Sequence, residues 1–233
     1  MYLQLTTRCN MTCAHCCFAC TKDGEDMSLE TFRDAIKIDG SITLGGGEPT
    51  LHKHFDTMLL ESLAAVHGFH GDGHVSVITN GSITNRALVL AQLGKAKVVD
   101  SQLSRDDYHD EIDPRVVDAF ESFEKGVFGR QLGIRNTTDG RDPHPHGRAV
   151  ELLGLDDDEL TERTANGATC MCHDFIVKPN GEIVQCGCND SPVVGNAKDG
   201  VDVPSGAYGE CCHSATFESA CAEDTGKYEH LLV

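Results

Sequence analysis

The sequence predicts an α/β protein organised around a parallel sheet. Short segments of strand period alternate with longer segments of helical period, the pattern of repeated βα units. The residues following the strands are unusual: cysteines after the first, three glycines and a glutamate after the second, Asn-Gly after the third, and Ser, Asp and His after the fourth. From about residue 165 the alternation stops and a cysteine-rich tract begins. Residues 1–160 are therefore expected to form the α/β core, and 165–233 a small appendage.

The first strand is expected at Tyr2–Thr6, where apolar residues alternate. Ser28 then reads as an N-cap, worth about 1 kcal/mol, for a helix carrying Leu29, Phe32, Ala35 and Ile36. Ser41-Ile42-Thr43-Leu44 reads as a second strand ending in Gly45-Gly46-Gly47-Glu48-Pro49, and Phe55, Met58, Leu59, Leu63 and Val66 recur at helical spacing. A third strand, His74–Thr79, ends at Asn80-Gly81 and precedes a helix over 85–93. The fourth strand is expected over 97–103, leading into Ser104-Arg105-Asp106-Asp107-Tyr108-His109. Pro114 suits a first helical turn, where no N–H is needed, so a helix is expected over 115–125 and a fifth strand over 131–136. The polar tract 139–146 and the acidic run 156–159 read as loops. Asn180-Gly181, between Phe175-Ile176-Val177 and Ile183-Val184, is a strong hairpin signal. The rest of the tail reads as loop, and no internal repeat is present.

Bulk properties narrow the function. The chain carries 19 Lys+Arg against 37 Asp+Glu, a net charge of −18, which argues against gripping a nucleic-acid duplex. The acidity fits a well-solvated surface. No apolar run approaches the roughly 18 residues of a membrane span, and the first residues lack a basic start followed by an apolar stretch, so a cytoplasmic protein is expected. In a reducing compartment, twelve clustered cysteines point to metal ligation rather than to disulfides.

In an open α/β barrel the loops at the C-terminal ends of the strands share one mouth, which is where ligands gather. Cys9-x3-Cys13-x2-Cys16 puts three thiols on the first such loop, enough for three irons of a [4Fe–4S] cubane with the fourth iron open to a small molecule. Chance alone gives this spacing about once in thirty such cysteine-rich chains, so the context matters. Taken with Gly46-Gly47-Glu48-Pro49, Thr79-Asn80-Gly81 and Ser104-x-Asp106 in βα order, the first 150 residues or so resemble the radical S-adenosylmethionine (radical SAM) superfamily.

That resemblance implies a partial (β/α)6 barrel and a cluster whose open iron is chelated by SAM, which is cleaved reductively to a 5′-deoxyadenosyl radical that abstracts a substrate hydrogen. Gly45, Gly46 and Gly47 would let the backbone approach the ligand, and Glu48 would accept from the SAM ammonium. Thr79 and Asn80 would lie near the adenosine, unless they only end a strand. Ser104 and Asp106 are candidates for ribose or carboxylate contacts, with Asp107 as the alternative to Asp106. Arg135 or Arg148 would pair with the SAM carboxylate, a surface role being the alternative for each. His15 replaces the aromatic residue often found before the third cysteine. Cys17 and Cys20 lie outside the triad and read as small apolar fillers.

Cys170-x10-Gly181-x4-Cys186, followed by Val194-Gly195-Asn196, resembles the auxiliary-cluster regions called SPASM and twitch. The resemblance implies a second [4Fe–4S] cluster held by four of Cys170, Cys172, Cys186, Cys188, Cys211, Cys212 and Cys221. A structural zinc site is the alternative, since tetrahedral thiolate sites use the same spacings. Relatives with such appendages most often act on peptides or proteins, so peptide modification is the first expectation. Rearrangement of a nucleotide, modified nucleobase or other small metabolite is the second, and a non-catalytic iron–sulfur or zinc module the third. A donor such as flavodoxin or ferredoxin is expected to supply the electron. No peptide-recognition domain is expected ahead of the first strand.

Overall fold

A computed structural model describes residues 1–67, 73–121, 133–135, 146–156, 159, 175–187, 191–207, 215–224 and 227–231. Strands β1 (Tyr2–Thr6), β2 (Ser41–Gly46), β3 (His74–Thr79), β4 (Asp100–Ser104) and β5 (Gly133–Arg135) pair in parallel in that order. On the other side of β1, β6 (Ile176–Val177) also pairs in parallel. It then turns through Asn180-Gly181 into β7 (Glu182–Val184), and β8 (Val193–Asn196) and β9 (Gly200–Val201) follow antiparallel. The order is β5-β4-β3-β2-β1-β6-β7-β8-β9, an α/β sheet that is not closed among the described residues.

Strand alternation decides which side of the sheet is core. Leu3, Leu5, Ile42, Leu44, Val75, Val77 and Leu103 are buried in the apolar core. They pack with Phe32 of α1 (Leu29–Ala35), Phe55 and Met58 of α2 (Phe55–Val66), Leu90 of α3 (Thr84–Lys95) and Phe120 of α4 (Pro114–Glu121). The alternate positions are polar or small: Gln4, Thr43, Gly45, Ser76 and Gln102. Ser28 does cap α1, its hydroxyl accepting from Thr31 N–H at 3.0 Å. The hairpin forms as expected, with Gly181 at φ +90° supplying the turn.

The fourth strand begins at Asp100, three residues later than expected. Lys97 adopts a left-handed φ of +58°, its N–H bonding Gly94 O while Val98 N–H bonds Leu93 O. This is a Schellman stop with lysine where glycine is usual, so α3 runs on to Lys95 and its end carries no sequence signal. Helix α4 is described to Glu121, and the rest of its expected range lies outside the described residues, as do 139–145 of the polar tract. Two helices were not expected: α5 (Ala149–Leu153), closed by Gly154 at φ +63°, and α6 (Ala215–Glu223). Strands β8 and β9 likewise replace part of the expected loop.

Candidate functional site

The C-terminal ends of β1 to β4 carry loops that are tied to one another residue by residue. The cysteine loop is closed at its base by Asp26. Its carboxylate takes two N–H groups of Arg8, at 2.9 and 2.8 Å, and the Thr6 hydroxyl at 2.7 Å. Burial pushes the Asp26 carboxyl up, but the hydrogen bonds from Thr6 and Arg8 outweigh it and hold the group below the usual carboxylate range.

The glycines that end and follow β2 meet the protein's own backbone. A Cβ on Gly46, whose φ is +131°, would lie 2.3 Å from Thr6 O, and one on Gly47 would lie 2.1 Å from Arg8 O. In their absence Gly47 N–H reaches Thr6 O at 2.7 Å and Glu48 N–H reaches Arg8 O at 2.8 Å. Tyr2 lies across Gly45, its hydroxyl accepting from Gly46 N–H at 2.6 Å. The close approach that requires glycine is thus between the second loop and the cysteine loop.

Glu48 is fully buried. Oε1 accepts from the Thr79 hydroxyl at 2.8 Å, the Thr50 hydroxyl at 2.5 Å and Thr50 N–H at 3.1 Å; Oε2 accepts from Asn80 N–H at 2.6 Å. Burial pushes the carboxyl up, opposed by these hydrogen bonds. In this arrangement both oxygens serve the protein, and Glu48 pins the second loop to the third. Asn80 in turn donates its amide to Cys9 Sγ at 3.7 Å and to Asn10 Oδ1 at 3.2 Å, and Ser82 donates to the same Asn10 oxygen at 3.0 Å.

Cys9, Cys13 and Cys16 are half-buried on this held loop. Burial pushes the Cys9 thiol up, and pushes Cys13 up to about 11 with help from the charges of Cys9 and Cys16. Cys16 is held down to about 5, first by a hydrogen bond with the buried Cys20 thiol and, among smaller causes, by the charge of Arg148. Cys16 pushes up the pKa of both Cys9 and Cys13, and Cys9 that of Cys13, so negative charge crowded on this loop favours a cation between the sulfurs. Together with the N–H directed at Cys9, this donor set fits an iron–sulfur cluster.

The fourth loop brings Asp106 against the cysteine loop. His109 Nδ1 lies 2.8 Å from Asp106 Oδ1, which also accepts from Tyr108 N–H at 2.9 Å; His15 Nε2 lies 3.4 Å from Oδ2. The carboxylate is almost fully buried, yet Oδ2 accepts no hydrogen bond of good geometry. Burial pushes the His15 imidazole down, opposed by the charge of Asp106. The sequence placed Asp106 with a nearby His109 after the fourth strand, but no local pattern signalled that His15 of the cysteine loop meets the same carboxylate. Oδ2 is shielded from solvent, and the nearest titratable partner on that side is the His15 imidazole of the cysteine loop.

The remaining candidates are distributed as follows. Ser104 ends β4 beside Arg135 of β5, whose side chain is not among those described. The guanidinium of Arg148 donates to Cys13 O at 3.0 Å and Cys20 O at 2.7 Å, so the structure commits it to the cysteine loop. Cys170, Cys172, Cys188, Cys211 and Cys212 lie outside the described residues. Cys186 is buried beside Ser191 and, with Cys17, Phe18, Gln4 and Lys178, lines a cavity of about 300 Å³ between the cysteine loop and the hairpin. Cys221 is packed in the apolar core, where burial pushes its thiol up.

The family model described as Radical SAM superfamily matches residues 3–140. GTP 3',8-cyclase of Parasynechococcus marenigrum (strain WH8102) is 32% identical over 108 residues, covering 41% of this chain and 31% of that protein. The chain thus matches about a third of the length of this curated relative. Among solved structures, native anSMEcpe with bound AdoMet superposes with a TM-score of 0.54 at 15% identity, covering 94% of this chain and 82% of the other. Native anSMEcpe with bound AdoMet and the Cp18Cys peptide gives a TM-score of 0.51 at 15% identity, covering 94% and 80%. These likenesses show the same fold.

Proposed function

The chain belongs to the radical SAM superfamily, and from that premise we propose that it is an enzyme that uses SAM at a [4Fe–4S] cluster to abstract a hydrogen atom from its substrate. The observation that carries this reading is the chain of contacts from Glu48 through Asn80 to Cys9, which holds a three-thiol loop against the ends of β2 and β3. Cys9, Cys13 and Cys16 would hold the cluster. When bound, the cluster and SAM supply the chemistry, reductive cleavage to a 5′-deoxyadenosyl radical. Ser104 and Asp106 would contact the ribose or carboxylate of SAM, with His109 and Tyr108 N–H holding Asp106 Oδ1. Asn80 steadies Cys9, and Glu48 positions Asn80 rather than meeting the ligand itself.

We assign residues 1–160 to the core and 165–233 to an auxiliary region whose cysteines, Cys186 among them, hold a second [4Fe–4S] cluster or a zinc ion. Peptide or protein modification is the leading reading of the reaction. It draws on the cysteine hairpin and on the peptide seen in one anSMEcpe complex. A nucleotide substrate is the second reading, favoured by the identity with GTP 3',8-cyclase. A cytoplasmic flavodoxin or ferredoxin would supply the electron.

Anaerobic reconstitution with iron and sulfide, followed by SAM and dithionite, tests the central claim. Release of 5′-deoxyadenosine is expected; an iron-loaded protein that gives none sinks it. Mass spectrometry on peptide and nucleotide panels, read for a mass change and for deuterium transfer into 5′-deoxyadenosine, separates the two substrates. Iron near eight per chain would indicate two cubanes, and iron near four with one zinc would make the second centre structural.

A further inference from the structure

Residues 146–148 reach back across the sequence and close on the cysteine loop. His146 is buried. Gly147 has φ +57°, and a Cβ there would lie 2.5 Å from the carbonyl oxygens of both Cys16 and Cys17, so the backbone is pressed directly onto the loop. Arg148 then makes three hydrogen bonds to it: its own N–H to Cys16 O at 3.0 Å, Nε to Cys13 O at 3.0 Å, and Nη1 to Cys20 O at 2.7 Å. Two of these three carbonyls belong to residues of the three-thiol set. The third belongs to Cys20, whose buried thiol bonds that of Cys16.

We propose that Arg148 is a positioning residue for the cluster, a clamp that sets the curvature of the cysteine loop and leaves a fixed positive charge beside the bound iron. The inference rests on the radical SAM reading given above. A guanidinium is suited to the task because its planar fork bonds two separate carbonyls while its charge cannot be lost by deprotonation. Positive charge near a cluster favours the reduced, more negative form, so the residue raises the midpoint potential.

The test compares wild-type, Arg148→Gln and Arg148→Lys proteins, each reconstituted anaerobically and checked for fold by circular dichroism. Iron and sulfide content and EPR-monitored redox titrations are the readouts. Arg148→Gln, which keeps a donor but loses the charge, is expected to lower the reduced-to-oxidised ratio about tenfold at fixed poise, a midpoint about 59 mV lower for a one-electron couple. Arg148→Lys keeps the charge but not the fork. It is expected to hold a near-wild-type potential with at least twofold less iron. Wild-type iron and potential in both variants would overturn the proposal, as would a lower potential in the Lys variant than in the Gln variant. A wild-type protein that binds no iron would instead remove the reading beneath it, so the two failures are told apart.

Discussion

Cys9, Cys13 and Cys16 lie on a loop that hydrogen bonds tie to the ends of β1 and β2, to Asn80 and to Arg148, and whose His15 meets Asp106. Cys186 and Cys221, in the C-terminal region, sit instead against a serine hydroxyl and in the apolar core. The first arrangement fixes where sulfur atoms point before any metal arrives, because the carbonyls of Cys13, Cys16 and Cys20 and the amide of Asn80 already have partners. The second buries its sulfurs as a core buries any small side chain, with a short four-stranded ribbon for support. The mouth is therefore built to receive a cofactor, whereas the C-terminal region is the part whose folding a metal would assist.

Substitutions that break one region and spare the other sharpen this contrast. The largest effect is expected from Cys13→Ala, which should abolish 5′-deoxyadenosine formation and remove about four irons per chain. Cys186→Ala should leave that activity detectable while lowering the second metal. Iron and zinc analysis beside product assays decides between these outcomes, and unchanged iron in Cys13→Ala would refute the assignment.

Glu48→Ala comes next. It strands the Thr79 hydroxyl and Asn80 N–H in a buried site, and a loss of about 3 kcal/mol in urea unfolding is expected. Iron uptake should fall as Cys9 loses its steadied neighbour. A stability change below about 0.5 kcal/mol would show that the knot is dispensable. On the other side, Gly181→Ala places a side chain at φ +90°. The expected cost is about 1 kcal/mol with the triad's iron retained, and a loss of that iron would mean the two regions fold as one.

The smallest effect concerns the base of the cysteine loop. Asp26 has a lowered pKa in the folded state, so its contribution is present above the unfolded value near 4 and is lost as pH falls through the folded value. Asp26→Asn should thus cost about 0.5 kcal/mol at pH 7, with the difference from wild type vanishing in acid. Urea midpoints measured from pH 3 to 7 would expose a contrary trend.

Strands β1 to β3 and helix α1 were legible because alternation and a capping serine are local properties of the chain. The end of α3 was not, since Lys97 takes a left-handed conformation for which its sequence offers no reason. Helix α5, at five residues, is too short for its periodicity to stand out, and α6 offers Phe217 as its one large apolar residue, too little to mark a face. At the site, the cysteine spacing and Gly46-Gly47-Glu48-Pro49 identified the mouth. The protein partners of Glu48 and Arg148 did not follow from it: the Glu48 carboxylate accepts from Thr50, Thr79 and Asn80, and Arg148 bonds loop carbonyls.

By itself the sequence determined the α/β order, the three-thiol loop and the family, because strand period, turn residues and metal-ligand spacing are written within a few residues of one another. Only the tertiary structure decided that Gly46 and Gly47 admit a neighbouring loop, that Asp106 stands between His15 and His109, and that residues 146–148 close on the cysteines. Apart from His109, three residues from Asp106, these contacts join residues far apart in the chain, up to the 135 positions between Cys13 and Arg148. Which buried donor finds which acceptor across such distances is set by the packing of the whole sheet and its helices, and no local pattern records it.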